Sequence, residues 1–123
     1  FSMCSGLVDN LDTKVKIDGK IHERHVNYDL NKIIDVKTIT LTDLLDSAKS
    51  PKFIEYMSLD TEGSELEILK SNDFKKYNFG VIDVEHNFIE PRRTEIRKLL
   101  EKNNYKFNFE NNFDDNYIWL RNK

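Results

Sequence analysis

From residue 40 onward the apolar positions switch between helical and strand spacing. Thr40 precedes Leu41, Leu44, Leu45 and Ala48. That i, i+3, i+4, i+7 pattern predicts a helix with one buried face, capped by Thr40 and ended by Ser50-Pro51. Phe53-Ile54-Glu55-Tyr56-Met57-Ser58-Leu59 predicts a largely buried strand of the kind found inside a parallel sheet. Asp60-Thr61-Glu62-Gly63 follows as a sharp loop. Ser64 with Glu67 matches an S-x-x-E capping box, and Leu66 and Leu69 give the next helix its apolar side. A second strand is expected over Phe79 to Val84, ending in Glu85-His86-Asn87. Pro91 suits the first turn of a third helix, with Ile96, Leu99 and Leu100 buried and Asn103-Asn104 at its end. Tyr105 to Phe109 and Tyr117 to Leu120 read as two last strands. The seven residues Glu110 to Asn116 between them fit an antiparallel pair.

Residues 1–31 are the least regular. Lys14 to Ile21 alternates apolar and polar residues around Asp18-Gly19, which predicts a β-hairpin. Ile33 to Ile39 is a short β-like run. Alternation of strand and helix after residue 40 predicts an α/β domain with a parallel sheet, closed by an antiparallel C-terminal strand pair with one reversed strand at its edge. With four glycines and two prolines there is no linker, so residues 1–123 read as one domain. Ligands of open α/β sheets sit beyond the carboxyl ends of the strands. Here those ends carry Asp60-Thr61-Glu62-Gly63 and Glu85-His86-Asn87.

Composition narrows the function classes. Charged residues make up 33% and hydrophobic ones 38% of the 123 residues, a low apolar share of the kind expected where a partner surface is cut away. No apolar run approaches the roughly 18 residues of a membrane span. The net charge is −3 and no basic stripe is present, which argues against a nucleic-acid partner. The single cysteine, Cys4, excludes an intrachain disulfide and a thiolate zinc cluster. A reducing, cytoplasmic setting is the default expectation.

The run from Tyr56 to Leu69, with Asp60-Thr61-Glu62-Gly63-Ser64-Glu65-Leu66-Glu67-Ile68-Leu69 at its centre, resembles the D-x-E-G-x-E-x-x-[IVL]-L motif of FkbM-like methyltransferases. Upstream, Thr38-Ile39-Thr40-Leu41-Thr42-Asp43-Leu44-Leu45 is similar to the family's T-L-D-D-L-L segment. Val81-Ile82-Asp83-Val84-Glu85-His86-Asn87 is similar to its strand ending in V-E-H-N. Leu99 to Tyr105 resembles the close L-L-x-x-x-G-Y, with Asn104 where glycine is usual. The resemblance covers about residues 33–120. It implies part of a class I methyltransferase Rossmann-like sheet, the fourth to seventh strands of seven. It also implies S-adenosylmethionine as cofactor and O-methylation of a hydroxyl on a sugar, other small molecule or glycan. The family's glycine-rich cofactor loop and ribose-binding acid have no counterpart in residues 1–31, where Gly6 and Gly19 stand singly. The expectation is therefore an N-terminally truncated domain that is inactive as this chain alone. The exposed edge of its first central strand would favour self-association or a partner chain.

Methyl transfer to a hydroxyl is an in-line displacement that needs alignment and a base. Asp60 is placed at a strand end to hold the cationic methionine amine, with Thr61, Glu62 and Gly63 as the rest of the cofactor loop. Free N–H groups at the start of the following helix would orient Glu62 or a ligand. Either Glu85 or His86 serves as general base, with Asp60 as the third catalytic residue; His86 has an ordinary pKa of about 6.5. His86 and Asn87 face the substrate. Asp60, Glu85 and Asn87 also form an all-oxygen set suited to Mg²⁺.

Each feature has a plain structural reading beside the functional one. Asp60 could cap a helix or pair with a lysine, Glu65 could only complement the helix dipole, and His86 could be an exposed strand-end histidine. His22 and His25 read as solvated. Arg92, Arg93, Arg97 and Lys98 read as the wet side of their helix. Phe107, Phe109, Tyr117 and Trp119 read as core or face packing. The competing functions are an O-methyltransferase, a non-catalytic truncated module with a structural or binding role, and a metal-dependent hydrolase using Asp60, Glu62, Glu85 and His86.

Overall fold

The computed structural model describes residues 36–121 and, before them, two strands. Those two are β1 (Lys14–Ile17) and β2 (Lys20–Glu23). They pair antiparallel with Ile17 opposite Lys20, the hairpin that Asp18-Gly19 predicts. Cys4, Gly6, Gly19, His25 and the His22 side chain lie outside the described residues. So do residues 33–35 of the expected run at Ile33 to Ile39. Residues 36–40 are in no regular element, and Val36 and Ile39 are exposed. β-propensity without a ladder partner does not make a strand.

The remaining elements are α1 (Leu41–Ser47), β3 (Phe53–Leu59), α2 (Glu65–Lys70), β4 (Asn78–Glu85), α3 (Arg92–Lys102), β5 (Tyr105–Asn111) and β6 (Asp114–Trp119). Thr40 caps α1 as expected, its hydroxyl accepting from the Asp43 N–H at 3.0 Å. Only one edge of that helix is used: Leu41 and Leu45 pack against the core, whereas Leu44 is 51% exposed. At α2 the capping box does not form. Ser64 occupies the N-cap position with no side-chain cap bond, and Glu67 faces out toward Lys70.

The sheet order is β3-β4-β6-β5. β3 and β4 are parallel, β4 and β6 antiparallel, β6 and β5 antiparallel. The closing antiparallel pair is present. The reversed strand, however, is β6, which lies inside the sheet, and the edge strand β5 runs with β3 and β4. A return strand can slot beside β4 because the hairpin turn is only Asn112-Phe113, with Asn112 at φ 54°. The polar residues Asp114, Asp115 and Asn116 are thus strand, not loop.

Much of the core lies on the sheet face that α2 and α3 cover. Leu59, Ile82, Val84 and Tyr117 meet Leu66 and Leu69 of α2 and Ile96 and Leu100 of α3. Fully burying such side chains is worth roughly 1.5–3 kcal/mol each. The arginines expected on the wet side of α3 turn inward instead. Arg97 lies 3.8 Å over the Phe107 ring, and Arg93 binds Asp115 through two bonds of 2.8 Å. A register shift between Phe107 and Phe109 breaks the strand period, which leaves Phe109 49% exposed. α3 ends at Asn103, and Asn104 takes φ 70°, so asparagine fills the left-handed position that a helix end usually gives to glycine. Among the described residues no helix is long and apolar enough to cross a membrane.

Candidate active site

Strand alternation decides which carboxylates meet. In the β3–β4 register Ser58 stands opposite Asp83 and Leu59 opposite Val84. Successive side chains point to opposite faces, so Glu85 follows Asp83 onto the face away from the helices. Asp60, one residue past Leu59, reaches the same place. Asp60, Glu62 and Glu85 offer oxygens that all lie within 4.8 Å of one another. Asp114, opposite Glu85 in the β4–β6 register, adds a fourth carboxyl that the sequence did not suggest.

So many acids at one spot cannot all ionise cheaply. Burial first, then hydrogen bonding with Asp60 and the charges of Asp60, Glu62 and Glu65, push the Glu85 carboxyl up to about 8. Burial, followed by Asp60, Asp83 and Asp115, also raises Asp114. At neutral pH Glu85 is therefore mostly protonated and donates to Asp60. The Asn87 amide holds its other oxygen, Nδ2 to Oε1 at 3.0 Å. Asn87 is thereby committed to Glu85, itself buried.

The loop between β3 and α2 is built on two left-handed residues. Glu62 has φ 57° and Gly63 φ 125°, the second a conformation that only glycine adopts readily. Two N–H groups of the loop just ahead of the helix are taken from within the fold. The Glu65 carboxylate accepts from the Thr61 N–H at 2.8 Å and the Gly63 N–H at 3.1 Å. Glu65 is fully buried, so its role is not merely to complement a dipole. The Thr61 hydroxyl is buried with no hydrogen-bond partner among the described residues.

His86 stands apart from this cluster. It is buried on the helix side, and its Nδ1 accepts from the Phe88 N–H at 2.8 Å. Its Nε2 has no hydrogen-bond partner among the described residues and lies 3.6 Å from Asp115 and 3.9 Å from Glu110. His86 is thus not an exposed strand-end residue, and it does not join Asp60, Glu62 and Glu85. The turn after it places Asn87 at φ 48° and Phe88 at φ 57°, with the Ile89 N–H donating to the His86 carbonyl at 2.9 Å. Left-handed backbone at a phenylalanine is unfavourable by about 1–2 kcal/mol. It is held by edge contacts of the Phe88 ring with His86 and Phe113 and by Arg93 above it.

Burial lowers the His86 pKa below 6.5, against the opposing pull of Asp115. A histidine kept neutral in the fold takes up a proton on unfolding once the pH drops below its unfolded value. Its contribution to stability is therefore complete above about pH 6.5 and is lost as pH falls toward the depressed folded value. Unfolding free energy measured at pH 7.5 and 5.5 should drop more in the wild type than in His86→Gln. Parallel pH profiles for the two proteins would refute it.

The residues missed in the sequence are Glu65, Arg92, Arg93, Asp114 and Asp115. Only the last two had a readable signal: a two-residue turn at Asn112-Phe113 would have set them opposite Glu85 and Val84. No curated protein and no solved structure gives a significant match to the chain. A family model does, over residues 9–107. That span begins within the irregular N-terminal stretch, ahead of the residues that carry the motif resemblance, and ends inside β5. It takes in both strand ends with their carboxylates. The chain belongs to the methyltransferase FkbM domain family, whose chemistry draws on a methyl donor of the S-adenosylmethionine type.

Proposed function

We propose that this domain is an S-adenosylmethionine-dependent O-methyltransferase acting on a hydroxyl of a sugar, other small molecule or glycan. In this reading it belongs to a reducing, cytoplasmic setting and is the fourth-to-seventh-strand portion of a Rossmann-like sheet. The observation that carries the proposal is the Asp60–Glu62–Glu85 group, with Glu85 raised to about 8. A general base works best with a pKa near the operating pH. The acceptor hydroxyl forms the new O–C bond as the S–C bond breaks, and its proton passes to Glu85. The donor brings a methyl group activated on a cationic sulfur, a charge that suits an acidic surround. Asp60 and Glu62 receive its cationic end, and the Asp60–Gly63 loop lines its site. Asn87 keeps Glu85 oriented. The buried His86 supports the turn that carries Asn87 to the substrate side.

Mg²⁺ is a second element of the proposal, held by Asp60 and Glu85 with Glu62, rather than Asn87, as the third oxygen donor. A cation there would draw the proton off Glu85 and make it a ligand rather than the base, and the metal would itself lower the pKa of the acceptor hydroxyl. The test is calorimetric titration of S-adenosylmethionine into this chain and into a form extended upstream, each with and without Mg²⁺. Binding by the extended form supports the proposal, and a magnesium effect supports the metal. Absence of binding by both forms overturns it in favour of a non-catalytic module.

That alternative has one observation behind it. Among the described residues β3 has a neighbour on one side only, and Tyr56 and Ile118 are exposed on the open sheet face. Parallel strands are ordinarily covered on both faces. We propose that the outer edge of β3 pairs with another polypeptide strand, of a second copy or of a partner chain. Light scattering should then show this chain, by itself, associating as its concentration rises. A monomer at all concentrations would count against pairing between copies.

A further inference from the structure

We infer that Glu65 and Arg92 are positioning residues that tie the Asp60–Gly63 loop to the end of β4 and so set where Asp60 and Glu62 stand relative to Glu85. The inference deepens the methyl-transfer reading of the acid cluster and rests on it. Glu65 opens α2, yet it is as buried as the core leucines. A buried carboxylate needs strong partners, and this one reaches backward along the chain to find them. Its two oxygens hold the N–H groups of Thr61 and Gly63. With the residues on either side pinned to one carboxylate, Glu62 is held in the left-handed conformation seen at its φ of 57°.

Arg92, the first residue of α3, completes the tie. Its Nη1 donates to the Gly63 carbonyl and its Nη2 to the His86 carbonyl, each at 3.4 Å. One planar guanidinium therefore spans the loop after β3 and the turn after β4. A lysine offers a single ammonium and cannot hold two carbonyls in that fixed fork. Neither Glu65 nor Arg92 belongs to the Asp60–Glu62–Glu85 group. Both act through the backbone that presents it.

The test is amide hydrogen exchange on the full chain, together with steady-state kinetics on the longest expressed form. In Glu65→Ala the Thr61 and Gly63 amides should exchange about tenfold faster or more, the loss expected for a hydrogen bond to a charged group. Ile82 and Val84 in β4 should keep their protection. The KM for S-adenosylmethionine should rise by more than kcat falls. Glu65→Gln keeps one acceptor oxygen, so it should retain slow exchange at one of the two amides and recover part of the KM. Arg92→Lys should raise KM in the same way without changing exchange in β4.

Unchanged exchange at Thr61 and Gly63 in Glu65→Ala would overturn the inference. So would equally faster exchange throughout α2, β3 and β4 in both Glu65 variants, which would mark a purely structural carboxylate. Should the wild-type protein bind no methyl donor, the methyl-transfer reading fails, while the exchange comparison still decides whether Glu65 and Arg92 set the loop.

Discussion

Replacing Glu85 with glutamine should lower methyl transfer by about 10²–10⁴-fold, the span typical for loss of a general base, while making the fold more stable at neutral pH. Both effects have one cause. The Glu85 carboxyl is pushed up to about 8 from an ordinary 4.5 by burial and by Asp60. Glutamine reproduces the protonated acid: its carbonyl still accepts from Asn87, and its NH₂ can donate to Asp60. What it cannot do is accept a proton from a substrate. On the stability side, a carboxyl whose folded pKa is raised keeps a proton that the unfolded chain releases. Unfolding is therefore progressively favoured as pH climbs from 4.5 to about 8. The advantage of Glu85→Gln should be absent near pH 4, grow across that window and level off above it. Wild-type turnover should rise through about pH 8 as the base deprotonates. Denaturation curves at several pH values, together with a pH–rate profile on the longest expressed form, check both limbs. A variant that is destabilised at pH 7, or that turns over normally, would dismiss Glu85 as the base.

The site was legible in outline because strand ends are set by local patterns. The apolar run Phe53 to Leu59 and the loop from Asp60 to Gly63 announce a strand, a turn that needs glycine, and a helix. The period of two also separates Glu85 from His86, and on that basis alone the two need not have been grouped. Less of the electrostatics was legible. Ser64 and Glu67 match a capping box in sequence, but whether a carboxylate turns to the helix start depends on competing donors. Glu65 found two of them in a loop closed only by the tertiary fold. Asp114, Asp115 and Asn116 look like turn residues. They are strand because β4 offers them a ladder from Asp83 to Glu85, and a sequence does not state which strand will be a neighbour. The arginines of α3 are polar by composition, yet their long stems and planar heads pack over Phe88 and Phe107 as they reach for charge. An amphipathic helix pattern counts them as wet for want of any sign that Asp115 waits beneath.

That buried pair gives the largest stability effect expected in the molecule. Asp115 receives Arg93 Nε and Nη2, both at 2.8 Å, and its side chain is 3% exposed. Removing one partner of a buried ion pair is costly chiefly because it strands the other. Asp115→Ala would leave the Arg93 guanidinium against His86 and Phe88, with the half-exposed Glu110 at 3.4 Å and the charge of Glu90 to answer it. The expected loss is about 3 kcal/mol, the low end for a broken buried pair, since Glu110 compensates in part. For a domain of this size that is a fall in Tm of roughly 10 °C. Arg93→Ala strands the carboxylate beside His86 instead. Its neighbour then lacks the Arg93 charge that opposes protonation, so the imidazole can answer Asp115 with a proton and the loss should be smaller at pH 6 than at pH 8. The double variant should be less damaged than the sum of the singles, because neither charge is then left alone. Thermal and urea unfolding of the four proteins settles the matter. Strict additivity, or an Asp115→Ala loss under about 0.5 kcal/mol as for an ordinary surface substitution, would mean that the pair is solvated and does not hold the β6 hairpin to α3.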